Sequence, residues 1–113
     1  MIERRKSTRH SFHLGAAVFQ DGSPLILSLL RANIGFGGIG GFSPERLSAG
    51  SPATIRFTFP QRSGADKQEE IAGNVIWAHK DGNFNAQGIA FVDLSKQTHP
   101  LLFSYLQYSA QYE

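Results

Sequence analysis

The sequence has no cysteine and no long apolar run. The absence of cysteine excludes a disulfide framework and any thiolate metal site. No apolar stretch reaches the roughly eighteen residues that a membrane-spanning helix needs, so we expect no membrane insertion. The N-terminus, MIERRKSTRH, is charged and has no apolar segment behind it, so we expect no signal peptide and a cytoplasmic location.

Charged residues are also scarce, at 18%, beside 41% hydrophobic residues, which is typical of a globular protein. A chain of 113 residues is long enough for one domain with one core, so we expect a single domain over residues 1–113. Basic charge is concentrated in residues 4–9, which supply four of the eleven basic residues. Nucleic-acid binders more often spread basic residues along a face, so this cluster favours a compact anion over a nucleic-acid partner.

Alternating apolar and polar residues predict antiparallel strands along most of the chain. The clearest is ATIRFTF (53–59), and others begin at Phe12 or occupy LILSLLRANI, IAGNVIWAH and AQGIAFVDL. Asp-Gly pairs at 21–22 and 81–82 predict hairpin turns. The polar stretch PQRSGADKQEE is interpreted as a mobile hairpin loop.

The pattern changes near the C-terminus, where apolar and aromatic residues recur at steps of three and four, which predicts a helix. Ser95 or Thr98 could cap it, with Pro100 in its first turn. We therefore predict a mainly β fold. It consists of a flexible basic segment (1–10), a small six-stranded antiparallel β-barrel (11–94) and a C-terminal α-helix (95–113).

The run RANIGFGGIGGF raises the question of a phosphate-binding turn. Gly35, Gly37 and Gly40 satisfy G-x-G-x-x-G, but a β-type stretch follows where a dinucleotide-binding fold needs a helix. A P-loop is excluded because the required lysine and hydroxyl residue are missing. We interpret these glycines as supplying positive φ and allowing two backbones to approach closely.

Arg5 and Arg9 are four residues apart, so they lie on one side of the segment whether it is helical or extended. Guanidinium groups bind phosphate oxygens and also match the O6 and N7 acceptors of guanine. The pair therefore suits a guanine nucleotide. From the residues alone, the alternative is a frayed basic terminus.

The order of four segments, RKSTR, NIGFGG, GNVIWA and QGIAFVDLS before a helix, resembles the PilZ domain, a bacterial receptor for cyclic di-GMP. The family pattern is R-x-x-x-R followed by [D/N]-x-S-x-x-G. Arg5 and Arg9 match the first motif, and Asn33 and Gly38 match the ends of the second. Gly35 stands where the family has serine.

The resemblance implies that the arginines bind phosphates and guanines, that Asn33 and position 35 contact a guanine edge, and that Gly38 also touches the ligand. Losing the serine hydroxyl removes a hydrogen bond worth about 0.5–1.5 kcal/mol, which weakens binding without abolishing it. Trp77 either stacks on a guanine or is a partly buried core residue, since it shares its parity with Ile71 and Val75.

The number of cyclic di-GMP molecules bound per chain is predicted from Arg4. In the family, an arginine directly before the first motif accompanies two mutually intercalated ligand molecules, so Arg4 predicts two, whereas Gly35 favours one.

The implied function is a sensor that binds cyclic di-GMP and passes the signal to an unidentified effector protein. The alternative is an adaptor that has weak or no nucleotide binding. No cofactor is expected. The four histidines are scattered without metal-ligand spacing, and neither a G-x-S-x-G serine nor paired carboxylates are present, so we expect no metal site and no enzyme.

Overall fold

A computed structural model describes residues 10–11, 15–20, 23–26, 28–62 and 64–111. These residues form one antiparallel sheet and one helix. The elements in chain order are β1 (His10–Ser11), β2 (Gly15–Gln20), β3 (Ser23–Ile26), β4 (Ser28–Ile34), β5 (Gly38–Ser43), β6 (Pro52–Phe59), β7 (Lys67–Asp81), β8 (Phe84–Phe91) and α1 (Pro100–Gln111). The order across the sheet is β1-β4-β5-β8-β7-β6-β2-β3.

The mainly β, antiparallel architecture with a C-terminal helix is confirmed. Six strands have six or more residues, while β1 and β3 are short. The segment LILSLLRANI, predicted as one strand, divides between β3 and β4. Among the described pairings the two end strands, β1 and β3, do not pair with each other, so closure into a barrel stays a prediction.

The sheet is nevertheless strongly curved. β3 lies at one end of the strand order and β4 lies next to the other end. Only one residue separates Ile26 from Ser28, so their Cα atoms are at most about 7 Å apart. The two ends of the sheet therefore come together where β3 gives way to β4.

Inward-facing residues of β6 confirm the strongest strand pattern in the sequence. Ala53, Ile55, Phe57 and Phe59 are buried, and the residues between them are half-buried. The core that they join also includes Leu47 and two helix residues, Leu102 and Leu106.

Four other core residues form a continuous row across β4, β5, β8 and β7. Ile34 pairs with Ile39, Ile39 with Ile89, and Ile89 with Val75. All four are at most 2% exposed. We call Ile34, Ile39, Ile89 and Val75 the inner row. Its β-branched side chains suit a pleated, buried surface.

β7 begins earlier than the sequence predicts. Residues 67–70 were expected in a mobile loop, but they extend the ladder with β6, in which Phe59 is opposite Lys67. This prediction is wrong because cross-strand pairing overrides the low strand propensity of charged residues. Glu70 also forms an ion pair with Arg56 at 2.8 Å.

The start of α1 is held by β7. The Glu69 carboxylate accepts hydrogen bonds from the backbone N–H groups of Leu101 and Leu102, at 2.8 and 2.9 Å. Pro100, which was predicted in the first turn, is the first helical residue, so α1 begins later than the predicted residue 95. Ser95 and Thr98 instead bond to each other in the preceding turn, so the cap predicted from them is wrong.

Both hairpins predicted from Asp-Gly pairs are present. Gln20 pairs with Ser23, and residues 21–22 lie outside the described part of the chain. Asp81 pairs with Phe84, and Gly82 between them has φ 66°, a left-handed conformation that glycine adopts readily. Within the described ranges, no helix is long and apolar enough to cross a membrane.

Candidate ligand-binding surface

A second row of residues crosses the same four strands beside the inner row. Asn33 of β4 pairs with Gly40 of β5, Gly40 with Gly88 of β8, and Gly88 with Trp77 of β7. We call Asn33, Gly40, Gly88 and Trp77 the outer row. Directly paired residues share a face of a sheet, and neighbours along a strand alternate, so the outer row faces away from the core.

The outer row has polar and aromatic ends with two glycines between them. Asn33 and Trp77 are three strand spacings apart, or about 14 Å between backbones. Neither glycine carries a side chain, and the Trp77 indole lies over Gly88, which leaves the backbone at Gly40 uncovered by this row. A flat molecule can lie there, next to the indole.

A β-bulge turns Trp77 outward. Val75 pairs with Ile89 and Trp77 with Gly88, which leaves Ile76 as an extra residue. One extra residue reverses the alternation beyond it. Trp77 is therefore 41% exposed although Val75, two residues earlier, is buried. The interpretation of Trp77 as a core residue on the parity of Val75 is wrong for this reason.

A pocket of about 210 Å³ opens at this surface. Three of the residues predicted to touch a ligand line it: Gly35, Gly38 and Trp77. Its rim includes two exposed apolar side chains, Phe36 at 43% and Ile76 at 60%. The other lining residues are Gly37, Ile39, Gly40, Gly88, Ile89 and Ala90. None of these lining residues carries a charge.

The glycines act through close approach and not through positive φ. The positive-φ glycines of the described chain, Gly50, Gly64 and Gly82, all lie outside residues 35–41, so that part of the interpretation is wrong. A Cβ on Gly38 would lie 2.1 Å from the Ile89 carbonyl oxygen. Gly38 is thus required by strand packing whether or not a ligand is bound.

The turn between β4 and β5 is fixed at three points. The Gly35 N–H donates to the Gly38 carbonyl at 2.9 Å, and the Phe91 N–H donates to the Gly37 carbonyl at 2.9 Å. Between these, the ring of Phe36 packs edge-on against Phe103 of α1, with centroids 5.3 Å apart. The rim of the pocket is therefore in contact with the helix.

The predicted arginines Arg4, Arg5 and Arg9 lie outside the described residues. The strand that follows them is described: His10 pairs with Ile34, and Ser11 with Asn33. The basic segment therefore leads into the strand that lies beside one end of the outer row.

Two features of the surface were not predicted as site residues. Gly88 is one. No local sequence pattern predicts its role, because Gly40 and Trp77 lie beside it only through the register of the strands. Phe36 is the other, and it could have been noticed as the one large side chain within the glycine turn. In the described ranges, no three His, Asp or Glu side chains group to hold a metal ion.

Comparison with known proteins agrees with the pattern of the sequence. The family model described as the PilZ domain matches residues 3–108. This chain belongs to the PilZ domain family. PilZ domains are known as binding and adaptor domains. Among curated proteins, none matches this sequence.

The PilZ fold is also seen in a solved structure, the Bacillus subtilis inhibitor of motility (MotI/DgrA). The two structures align with a TM-score of 0.67 at 17% sequence identity, over 99% of this chain. At this identity the likeness concerns the fold alone. This PilZ chain spans about half of that protein, 53% of its length.

Proposed function

We propose that this PilZ domain is a cytoplasmic bacterial sensor that binds cyclic di-GMP on the outer row. The observation that carries the proposal is the row itself, which has an amide at one end, an exposed indole at the other and two glycines between them. A purine ring can stack on the indole, as bases do on aromatic side chains, while its edge meets backbone and amide groups.

The size of the pocket supports partial enclosure of the ligand. Pockets that enclose a whole small molecule typically have volumes of about 300–1,000 Å³. The 210 Å³ pocket is smaller, so it would hold one guanine while the phosphates and the other guanine remain above the surface. A second element must then cover them.

Charge supports the same division of roles. The pocket lining is uncharged, yet cyclic di-GMP carries two phosphates. Arg5 and Arg9 would supply bidentate, charge-assisted hydrogen bonds to those phosphates and to guanine. Arg9 directly precedes His10 in the chain, and His10 pairs with Ile34 next to Asn33, which supports a role for the arginines at this end of the outer row.

Position 35 is where binding is expected to be weakened. The family has a serine hydroxyl there, and this chain has Gly35. One neutral hydrogen bond is worth about 0.5–1.5 kcal/mol, against roughly 1.5–3 for a bond to a charged group. The arginines therefore dominate, and affinity in the micromolar range or better is expected.

The signal would leave the site through the helix. Phe36 lies on the pocket rim and packs against Phe103 of α1. A ligand that shifts the glycine turn would shift this contact and so change the surface offered to an effector protein.

The alternative function is an adaptor that binds protein and little or no nucleotide. The exposed apolar rim of Phe36, Ile76 and Trp77 favours it, because such side chains are typical of protein contacts. The adaptor proposal predicts that the surface works without the arginines.

The test is a calorimetric titration with cyclic di-GMP. The native chain should bind, and Arg5→Ala or Arg9→Ala should each weaken binding at least about ten-fold with the melting temperature nearly unchanged. Arg62→Ala is the matched control, because it removes an exposed arginine from the β6–β7 loop. The absence of heat at about 1 mM ligand, equivalent to about 4 kcal/mol, would exclude the sensor.

The same titration measures stoichiometry. Two intercalated ligands bring four phosphate charges, which a third guanidinium at Arg4 could neutralise or stack upon. We expect two ligands per native chain and one in Arg4→Leu. A ratio of one in both proteins would remove Arg4 from the site.

A further inference from the structure

The ring of Trp77 lies directly across the backbone of β8. A Cβ built on Gly88 would lie 2.4 Å from Trp77 Nε1, 2.6 Å from Cε2 and 2.9 Å from Cζ2. Real Cβ atoms do not approach other heavy atoms this closely. The indole therefore occupies the space that any side chain at position 88 would need.

A second contact fixes the same ring from another side. Trp77 and His79 stack with centroids 5.5 Å apart and an interplanar angle of 26°. Both residues follow the bulge and face outward, so the ring contacts a side chain of β7 as well as the backbone of β8. Together they hold the indole at the edge of the pocket.

We propose that Gly88 is a positioning residue for Trp77. Because Gly88 has no side chain, the indole can lie flat on β8, in the orientation that stacks on guanine. The part of this inference that concerns ligand binding rests on the proposed function, whereas the part that concerns the position of the indole on β8 does not. Gly88 is also expected to tolerate alanine once the indole is gone, because the three atoms nearest to the added Cβ belong to Trp77.

The first measurement uses the free protein. Trp77 is the one tryptophan of the chain, so its fluorescence reports this site alone. In Gly88→Ala the new Cβ must displace the ring, so acrylamide quenching should increase and the near-ultraviolet circular dichroism should change. Unchanged spectra in a folded Gly88→Ala protein would overturn the proposal.

The second measurement is a double-mutant cycle with cyclic di-GMP. Gly88→Ala should weaken binding about five-fold or more in the native background, as expected when a base loses its stacking partner. In a Trp77→Ala background the same change should have no further effect on affinity or stability. Equal losses in both backgrounds, or failure of both Gly88→Ala proteins to fold, would show that Gly88 acts through strand pairing.

The two proposals can fail separately. If the native protein shows no binding, the proposed sensor function is wrong, and the fluorescence comparison still decides whether Gly88 seats the indole. If the native protein binds and Gly88→Ala binds equally well with unchanged fluorescence, the sensor function stands and the positioning role is wrong.

Discussion

The inner and outer rows use adjacent residues of the same four strands for opposite purposes. In β4, β5 and β8, each isoleucine of the inner row is next in the chain to an outer-row residue, Asn33, Gly40 or Gly88. In β7, the bulge at Ile76 separates Val75 from Trp77. The inner row has four β-branched side chains that are almost fully buried. The outer row has one amide, two glycines and one indole.

Because the two rows differ in this way, stability and ligand binding can be changed separately in this sheet. Burial of the inner row removes apolar area from water and stabilises the fold. The outer row stabilises little, because two of its members lack side chains and a third is 41% exposed. Substitutions at Ile34 or Val75, the inner-row residues that do not line the pocket, should therefore leave binding intact, and substitutions in the outer row should leave stability nearly intact.

The largest effect is expected in the inner row. Ile34→Ala, at an inner-row residue that does not line the pocket, should reduce the free energy of unfolding by about 2–5 kcal/mol, since it leaves a cavity in the core. Urea unfolding measures this, and the protein that remains folded should bind cyclic di-GMP as the native chain does. Ile76→Ala is the control: the same change at a residue 60% exposed should cost less than about 1 kcal/mol. Similar costs at both positions would contradict the comparison.

The next largest effect is expected in the outer row, where a substitution should reduce ligand affinity more than stability. Trp77→Ala should weaken cyclic di-GMP binding by about 1–3 kcal/mol, the worth of one base–aromatic stack, with a small loss of stability. Titration and thermal unfolding of the same samples measure both. Phe84→Ala removes another exposed aromatic residue, one that does not line the pocket, and should leave affinity unchanged. If both variants bind like the native chain, Trp77 has no role in binding.

A smaller effect concerns the helix that covers the inner side of the sheet. Glu69→Ala removes the acceptor of two backbone N–H groups of α1 and should cost about 0.5–2 kcal/mol, as loss of a helix cap does. Glu70→Ala removes only an exposed ion pair with Arg56 and should cost less than about 1 kcal/mol. Chemical denaturation of the pair gives the comparison, and equal stability of the two variants would show that Glu69 does not hold the helix.

The smallest effect is expected at position 35. Gly35→Ser restores the hydroxyl of the family motif and should tighten binding by about 0.5–1.5 kcal/mol. Gly35 is not among the positive-φ glycines, so its backbone accepts a side chain without conformational strain. Competition between the two proteins for labelled cyclic di-GMP measures the difference. Weaker binding by Gly35→Ser would mean that the buried turn has no room for a hydroxyl.

Local patterns were sufficient to predict the elements that lie wholly on one face of the core. The alternation in residues 53–59 predicted β6, and the three- and four-residue steps near the C-terminus predicted α1 with Pro100 in its first turn. These patterns succeed because a half-buried strand and an amphipathic helix each record their own burial in sequence.

Other features depend on strand register, which no local pattern records. The bulge at Ile76 turns Trp77 outward against its parity, and the ladder with β6 draws residues 67–70 into β7. Gly88 joins the outer row only because β8 pairs with both β5 and β7. The family resemblance predicted Asn33, Gly35 and Gly38 as positions of one motif, and Trp77 was a separate candidate; the pairing of the strands shows how Asn33 and Trp77 share one surface.

The most direct test of the account is a nuclear magnetic resonance titration of the ¹⁵N-labelled protein with cyclic di-GMP. The outer row should respond: we expect the largest shift changes at the amides of Asn33, Gly40 and Gly88 and at the indole N–H of Trp77. Changes confined to other parts of the chain would contradict the location of the site. No change at about 1 mM ligand, equivalent to about 4 kcal/mol of binding free energy, would contradict binding itself.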